Sequence, residues 1–184
     1  MDAVSQANEQ VLVLRCQAGE EQAFIDLFTR YHAPLKYYLR RMLGSPERAD
    51  DALQEVWLQV LCGIRRLRTP KAFRAWLYRV ARNEALQELR RNGRWAAAEQ
   101  TFPPYEGRQE QRDEMDASDA ERIHMALDRI PPLHRDVLTL RFMEDMPYEE
   151  IASVLGCEVG TVRSRLYYAK RHLRKAMEEL GDVH

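Results

Sequence analysis

The sequence predicts an all-α protein made of two small helical domains joined by a flexible acidic linker. Three observations carry that prediction. Apolar residues recur every three or four positions over most of the chain, the period of one helix face. No stretch alternates with strand period, and no internal repeat is visible. Between residues 92 and 116 the periodicity stops, acids accumulate, and Gly93, Pro103, Pro104 and Gly107 occur. A structureless run of that length marks a domain boundary. The expected division is 8–93 for the first domain, 94–118 for the linker and 119–180 for the second domain.

Residues 1–8 are polar and expected to fray, followed by a short helix over Glu9–Ala18 that Gly19 ends. Glu20–Met42 places Phe24, Leu27, Phe28, Tyr31, Leu35, Tyr38, Leu39 and Met42 on one stripe, with a kink or break expected near Pro34. Ser45 can cap the next helix, and Pro46 suits its first position. That helix runs to about Leu61 with Ala49, Ala52, Leu53, Val56, Trp57, Val60 and Leu61 inward. Cys62–Thr69 is a basic loop. A third helix, Pro70–Arg91, buries Phe73, Trp76, Leu77, Val80, Ala81, Ala85 and Leu89.

Beyond the linker, a helix over Asp119–Ile130 packs Ile123, Ala126 (or Met125), Leu127 and Ile130, and Pro131-Pro132 ends it. Leu133–Met143 forms another, and Pro147 starts a third. The third and fourth are joined at Gly156, where a left-handed turn is cheap only for glycine. Val159, Val162, Leu166, Ala169 and Leu173 define the fourth. Between Arg163 and Lys175 it carries six Lys or Arg and no acid. Two helices at so tight a turn, the second basic, form a helix-turn-helix suited to DNA.

Composition limits the partners. The 184 residues are 45% hydrophobic and 31% charged, enough for packed helical cores. The net charge of −1 hides a division along the chain. Arg65–Arg94 holds ten basic residues against Glu84 and Glu88, whereas Trp95–Glu121 holds eight acids against Arg108 and Arg112. Two basic surfaces therefore flank an acidic connector. No apolar run approaches the roughly 18 residues of a membrane span, and MDAVSQANEQ lacks the basic start of a secretory signal. Cys16, Cys62 and Cys157 are scattered outside any ligand spacing and read as reduced cytosolic thiols, so a cytoplasmic protein is expected.

No phosphate loop, GxSxG or HExxH occurs, and the five histidines have no ligand spacing. Neither catalytic residues nor metal or cofactor sites are expected. Glu47, Glu149 and Glu150 complement helix starts. Gln54 and Glu55 lie too deep in their helix for that role and point to a partner surface.

With these segments in view, the chain resembles bacterial sigma factors. ADDALQEVWLQV looks like the helix of region two, and FRAWLYRVARNEALQELRR like the segment that engages the minus-ten element. LDRIPPLHRDVLTLRFMEDMPYEEIASVLGCEVGTVRSRL is similar to region four, which reads the minus-thirty-five element. Two such regions with only a linker between them resemble the extracytoplasmic-function group, over about residues 10–93 and 119–178.

The resemblance implies a dissociable initiation factor without covalent chemistry. Its partners would be core RNA polymerase (β′ clamp helices and β flap), promoter DNA and an anti-sigma factor, and the free protein is expected to be a monomer. Asp50, Asp51, Leu53, Gln54 and Glu55 would dock on polymerase. Leu67, Arg68, Lys71, Arg74, Arg79, Arg82 and Asn83 would contact the minus-ten DNA, the Leu67–Lys71 loop holding a flipped base. Phe73 and Trp76 lie on the apolar stripe, which favours core over base stacking. Thr161, Arg163, Ser164, Arg165, Tyr167, Tyr168 and Arg171 would meet the minus-thirty-five element. Many members carry Arg where Tyr168 stands. Tyr cannot grip guanine with two parallel bonds, so the preferred element is expected to differ. The acidic linker would follow the RNA-exit channel or act simply as a tether. Two other readings remain at this stage. A stand-alone helix-turn-helix regulator leaves the first domain unexplained, and a protein-only adaptor leaves the basic helices incidental.

Overall fold

A computed structural model describes residues 3–93 and 120–181. The expected linker, 94–118, lies outside the described residues. Among the described residues every regular element is helical. In order they are α1 (Ala3–Gln17), α2 (Glu21–Leu43), α3 (Pro46–Gly63), α4 (Phe73–Arg91), α5 (Ala120–Arg129), α6 (Pro132–Leu138), α7 (Tyr148–Leu155) and α8 (Val159–Gly181).

Helices α1–α4 build the first unit. The helix α1 starts well before Glu9, correcting the expectation of a frayed end. Its Glu9 is buried and accepts a hydrogen bond from the Tyr31 hydroxyl on α2, a contact that holds the early turns down. Gly19, at φ 92°, turns the chain out of α1. The second helix passes through Pro34 without a break. Its inward stripe holds Leu27, Tyr31, Leu35, Tyr38, Leu39 and Met42, but Phe28 at the stripe's edge is 36% exposed. Packing of the rest of the face carries the helix past the missing proline N–H.

The Ser45 side chain accepts from the Arg48 amide at 3.4 Å and caps α3, with Pro46 opening it as expected. Leu61 is 55% exposed rather than inward, because it lies beyond the row of Leu53, Val56, Trp57 and Val60. The basic loop is shorter than predicted. The α3 helix continues to Gly63, and single 3-10 turns at Ile64–Arg66 and Pro70–Ala72 lead to α4, which starts at Phe73 rather than Pro70. Thr69 makes no side-chain cap.

In the second unit, Ala126 and Leu127 of α5 and Ile130 just after it are buried, and Met125 faces out. The stretch predicted as one helix over Leu133–Met143 is α6 followed by a π turn, Thr139–Met143. Pro147 is the cap residue before α7 rather than its first turn. Gly156 adopts φ 65°, and its N–H bonds to the Ala152 carbonyl, so the tight α7–α8 turn forms as read. Buried apolar residues form one continuous cluster through α1–α4 and the second unit.

Phe73 is fully buried, and Trp76, half-buried, lies beside it at 6.1 Å. The Trp76 ring also closes on the backbone of Gly63: a Cβ there would meet its Cζ2 at 2.8 Å. Gly63→Ala is expected to cost about 1–3 kcal/mol through this overpacking. Urea denaturation would show it as a lowered midpoint with an unchanged slope.

Candidate nucleic-acid interface

The helix α4 presents basic side chains on two faces. Arg79 and Asn83 face solvent, as do Arg68 and Lys71 on the preceding loop, while Leu67 is half-buried. Arg74, Tyr78 and Arg82 lie four residues apart and share the face turned to the second unit. Arg74 is 9% exposed and Arg82 half-buried. The residues expected at minus-ten DNA thus divide into an open set and a covered set.

Acids of the second unit cover the latter. Asp136 on α6 is 1% exposed. Its carboxylate accepts from Arg82 Nε at 2.6 Å and from the Tyr38 hydroxyl of α2 at 2.7 Å. Glu144, after the π turn, accepts from the Tyr78 hydroxyl, and its carbonyl accepts from Arg74. Glu150 on α7 lies 3.7 Å from the Arg74 guanidinium. At the far end of the seam Arg41 donates to Asp128 at 2.9 Å and to the His124 carbonyl at 3.3 Å.

Burial raises the Tyr38 and Tyr78 hydroxyls above the usual phenol range, and their carboxylate partners push the same way. Burial also raises the Glu144 and Glu150 carboxyls, opposed for Glu144 by the Tyr78 hydrogen bond and Arg74, and for Glu150 by Arg74.

The surface expected to dock on a protein partner is split by α3. Asp51, Gln54 and Glu55 are exposed beside a polar cleft with Arg48, Glu84, Glu88 and Arg91. Asp50 is paired with Lys36 at 2.7 Å, which holds its carboxyl below the usual range, and Leu53 is buried at 3% exposure. With Gln54 they line an apolar groove of about 620 Å³ between α2 and α3. Phe24, Phe28, His32, Trp57, Leu58 and Leu61 complete it. Trp57 Nε1 and His32 Nδ1 are buried there without a hydrogen-bond partner.

Sequence reasoning missed most of this groove. Leu58 and Leu61, three residues apart and over half exposed, form a second apolar strip beside the buried one, and that spacing was the available signal.

On α8, Arg163 and Arg171 are exposed, and Thr161, Ser164, Arg165, Tyr167 and Tyr168 are half-buried. The Ser164 hydroxyl donates to the Thr161 carbonyl at 2.8 Å. Tyr167 and Tyr168 meet edge to face at 5.3 Å, and the Arg171 guanidinium lies 5.9 Å from the Tyr167 ring. This makes a cationic, aromatic face fit for phosphates and base edges. Cys16 is buried, Cys62 exposed and Cys157 between. Among the described residues no group of three or more His, Cys, Asp or Glu could hold a metal ion, and no helix is long and apolar enough to cross a membrane.

Comparison with known proteins identifies the family. The chain matches Sigma-70 region 2 over residues 27–94 and Sigma-70 region 4 over 120–173. It is 32% identical to the RNA polymerase sigma-H factor of Pseudomonas aeruginosa, with 96% of this chain and 97% of that protein covered. Identity to the ECF RNA polymerase sigma-E factor of Haemophilus influenzae is 33%, with 95% and 98% covered. Among solved structures, CnrH in complex with the cytosolic domain of CnrY aligns with a TM-score of 0.67 at 23% identity, covering 93% of this chain and 97% of that one. Sigma factor RpoE in complex with the anti-sigma factor NepR from Bartonella quintana aligns at 0.61 and 21%, covering 83% and 97%. These two share the fold. The chain belongs to the extracytoplasmic-function group of the sigma-70 family and is a dissociable transcription initiation factor rather than an enzyme.

Proposed function

We propose that this protein binds core RNA polymerase through the α2–α3 groove and brings it to promoters read at two places. The loop before α4 and the basic faces of α4 take the minus-ten DNA and help separate its strands. The face of α8 takes the minus-thirty-five duplex. The observation that carries this reading is the presence of two cationic surfaces on two separate units, Arg68/Lys71/Arg79 and Arg163/Arg171. A single duplex-binding helix-turn-helix needs only one of them.

The groove suits a protein partner. Exposed Phe28, Leu58 and Leu61 supply apolar area for it. Arg82 cannot hold Asp136 and a phosphate together, so loading DNA onto that face of α4 requires the two units to part. A protein that clamps the seam would silence the factor. The RpoE relative bound to its anti-sigma factor supports that kind of partner here.

Run-off transcription with purified core polymerase over a promoter library tests the reading. Start sites sharing spaced minus-thirty-five and minus-ten elements are expected; absence of polymerase binding would end it. Leu58→Glu changes an exposed side chain and should leave the fold intact. It is expected to weaken polymerase affinity by about 2 kcal/mol or more, near 30-fold, if the groove is the central contact. Equal affinity of variant and wild type would remove the groove from the interface.

The seam should respond to pH. Glu144 faces Tyr78 and Arg74, and Glu150 faces Arg74 with Glu9 nearby; their raised carboxyls belong to the closed arrangement. Opening returns them to water and to ordinary values, so the closed state binds more protons. These two carboxyls thus favour closure most below the ordinary carboxylate range, and their contribution weakens as pH rises through the raised values. Small-angle scattering of the free protein should show a radius of gyration that grows from about pH 4 toward neutrality. A radius that shrinks over that interval contradicts the assignment.

A further inference from the structure

We propose that Gln17 is a positioning residue for minus-ten reading: from the end of α1 it fixes the backbone of the loop carrying Leu67, Arg68 and Lys71, and so sets which base that loop accepts. The inference rests on the minus-ten role proposed for the loop.

The loop has little regular structure of its own. Its two 3-10 turns are each closed by one backbone bond, Leu67 N–H to Ile64 carbonyl at 3.2 Å and Ala72 N–H to Thr69 carbonyl at 2.9 Å. Between them the chain is extended at Leu67 (φ −69°, ψ 111°) and Thr69 (φ −124°, ψ 101°). Neither bond crosses the stretch from Leu67 to Thr69, so the turns alone leave their mutual angle open.

Gln17 ties the first turn to the end of α1, the helix against which the second turn also packs. Its Nε2 donates to the Ile64 carbonyl at 3.0 Å and to the Leu67 carbonyl at 2.7 Å. The two hydrogens of one side-chain amide therefore join the first turn to the start of the extended stretch, from 47 and 50 residues away in sequence. Packing supplies the other anchors: Ile64 is 3% exposed, Gly63 lies under the Trp76 ring, Leu67 rests against the core, and the Pro70–Ala72 turn packs on α1. Just past Gln17, Gly19 is opposed by the Arg65 guanidinium, so the end of α1 meets the loop at a second point.

Held this way, Leu67 stays half-buried while Arg68 and Lys71 project outward. Only a side chain with two donors on one planar nitrogen serves both carbonyls at this reach. Leu has no donor, and Glu sets a carboxylate against two carbonyl oxygens. Loss of the tie releases the Ile64 and Leu67 carbonyls and lets the first turn shift against α1. A site that reads one base loses discrimination when its groups move by about an ångström.

The test uses holoenzyme assembled with the full chain as wild type, Gln17→Leu and Gln17→Ala. Run-off yield is compared on promoters that differ at one minus-ten base, and on others that differ at one minus-thirty-five base. The ratio of best to worst minus-ten base is expected to fall about tenfold, with the minus-thirty-five ratio and polymerase affinity held within about twofold. In the free protein, trypsin should cut faster after Arg65, Arg66 and Arg68 in Gln17→Ala, a readout that needs neither DNA nor the bulkier variant. Equal yield loss on every promoter with the minus-ten ratio intact would reduce Gln17 to a stabilising role and overturn the proposal. Unchanged trypsin cleavage would overturn it as well. Wild-type holoenzyme indifferent to every minus-ten base would instead overturn the loop's reading role itself.

Discussion

Asp136 is the constraint on which the arrangement depends. A carboxylate 1% exposed needs close polar partners, and both come from the other unit: Tyr38 on α2 and Arg82 on α4. Its burial and the docking of the units are therefore one event. Such a buried pair contributes less than its short distances suggest, since desolvating the two charges offsets much of their attraction. Parting the units returns both ions to water and recovers that cost. The contact can thus fix the geometry of the closed state without locking it.

Buried apolar residues also run continuously across the seam, but its other polar ties have the same character as Asp136. Arg41–Asp128, Arg74–Glu150 and Tyr78–Glu144 are hydrogen-bonded or ionic, as in interfaces that open and close. They also share one logic of charge. Arg74 and Arg82, whose guanidinium groups suit phosphate, meet carboxylates in the closed state. The apolar α2–α3 groove is lined by other residues and stays open, so the proposed polymerase docking and DNA loading would use different surfaces.

Much of this was legible in the sequence. The inward stripes of α2, α3 and α4 and the Gly156 turn follow from periodicity and from the cost of positive φ. Departures fall where local pattern is silent. Phe28 and Leu61 sit at stripe edges, where helical spacing alone does not decide between core and surface. Arg74 and Arg82 read as outward cations because periodicity tells which residues share a face but not what that face meets. Their acidic partners lie beyond the connector, more than fifty positions later for Asp136 and Arg82. Glu9 of α1 meets Tyr31 across 22 residues, a pairing that no local signal announces.

The central claim is that this closed arrangement belongs to the free protein and gives way on the promoter. The direct measurement is the distance between fluorescent residues placed at exposed Gln87 on α4 and Ser153 on α7, in the free protein and in its polymerase–promoter complex. The account predicts a single short distance in the free protein and a clearly longer one in the complex. The same short distance in a transcribing complex would contradict it, because Arg82 would still be holding Asp136 while the minus-ten DNA was bound.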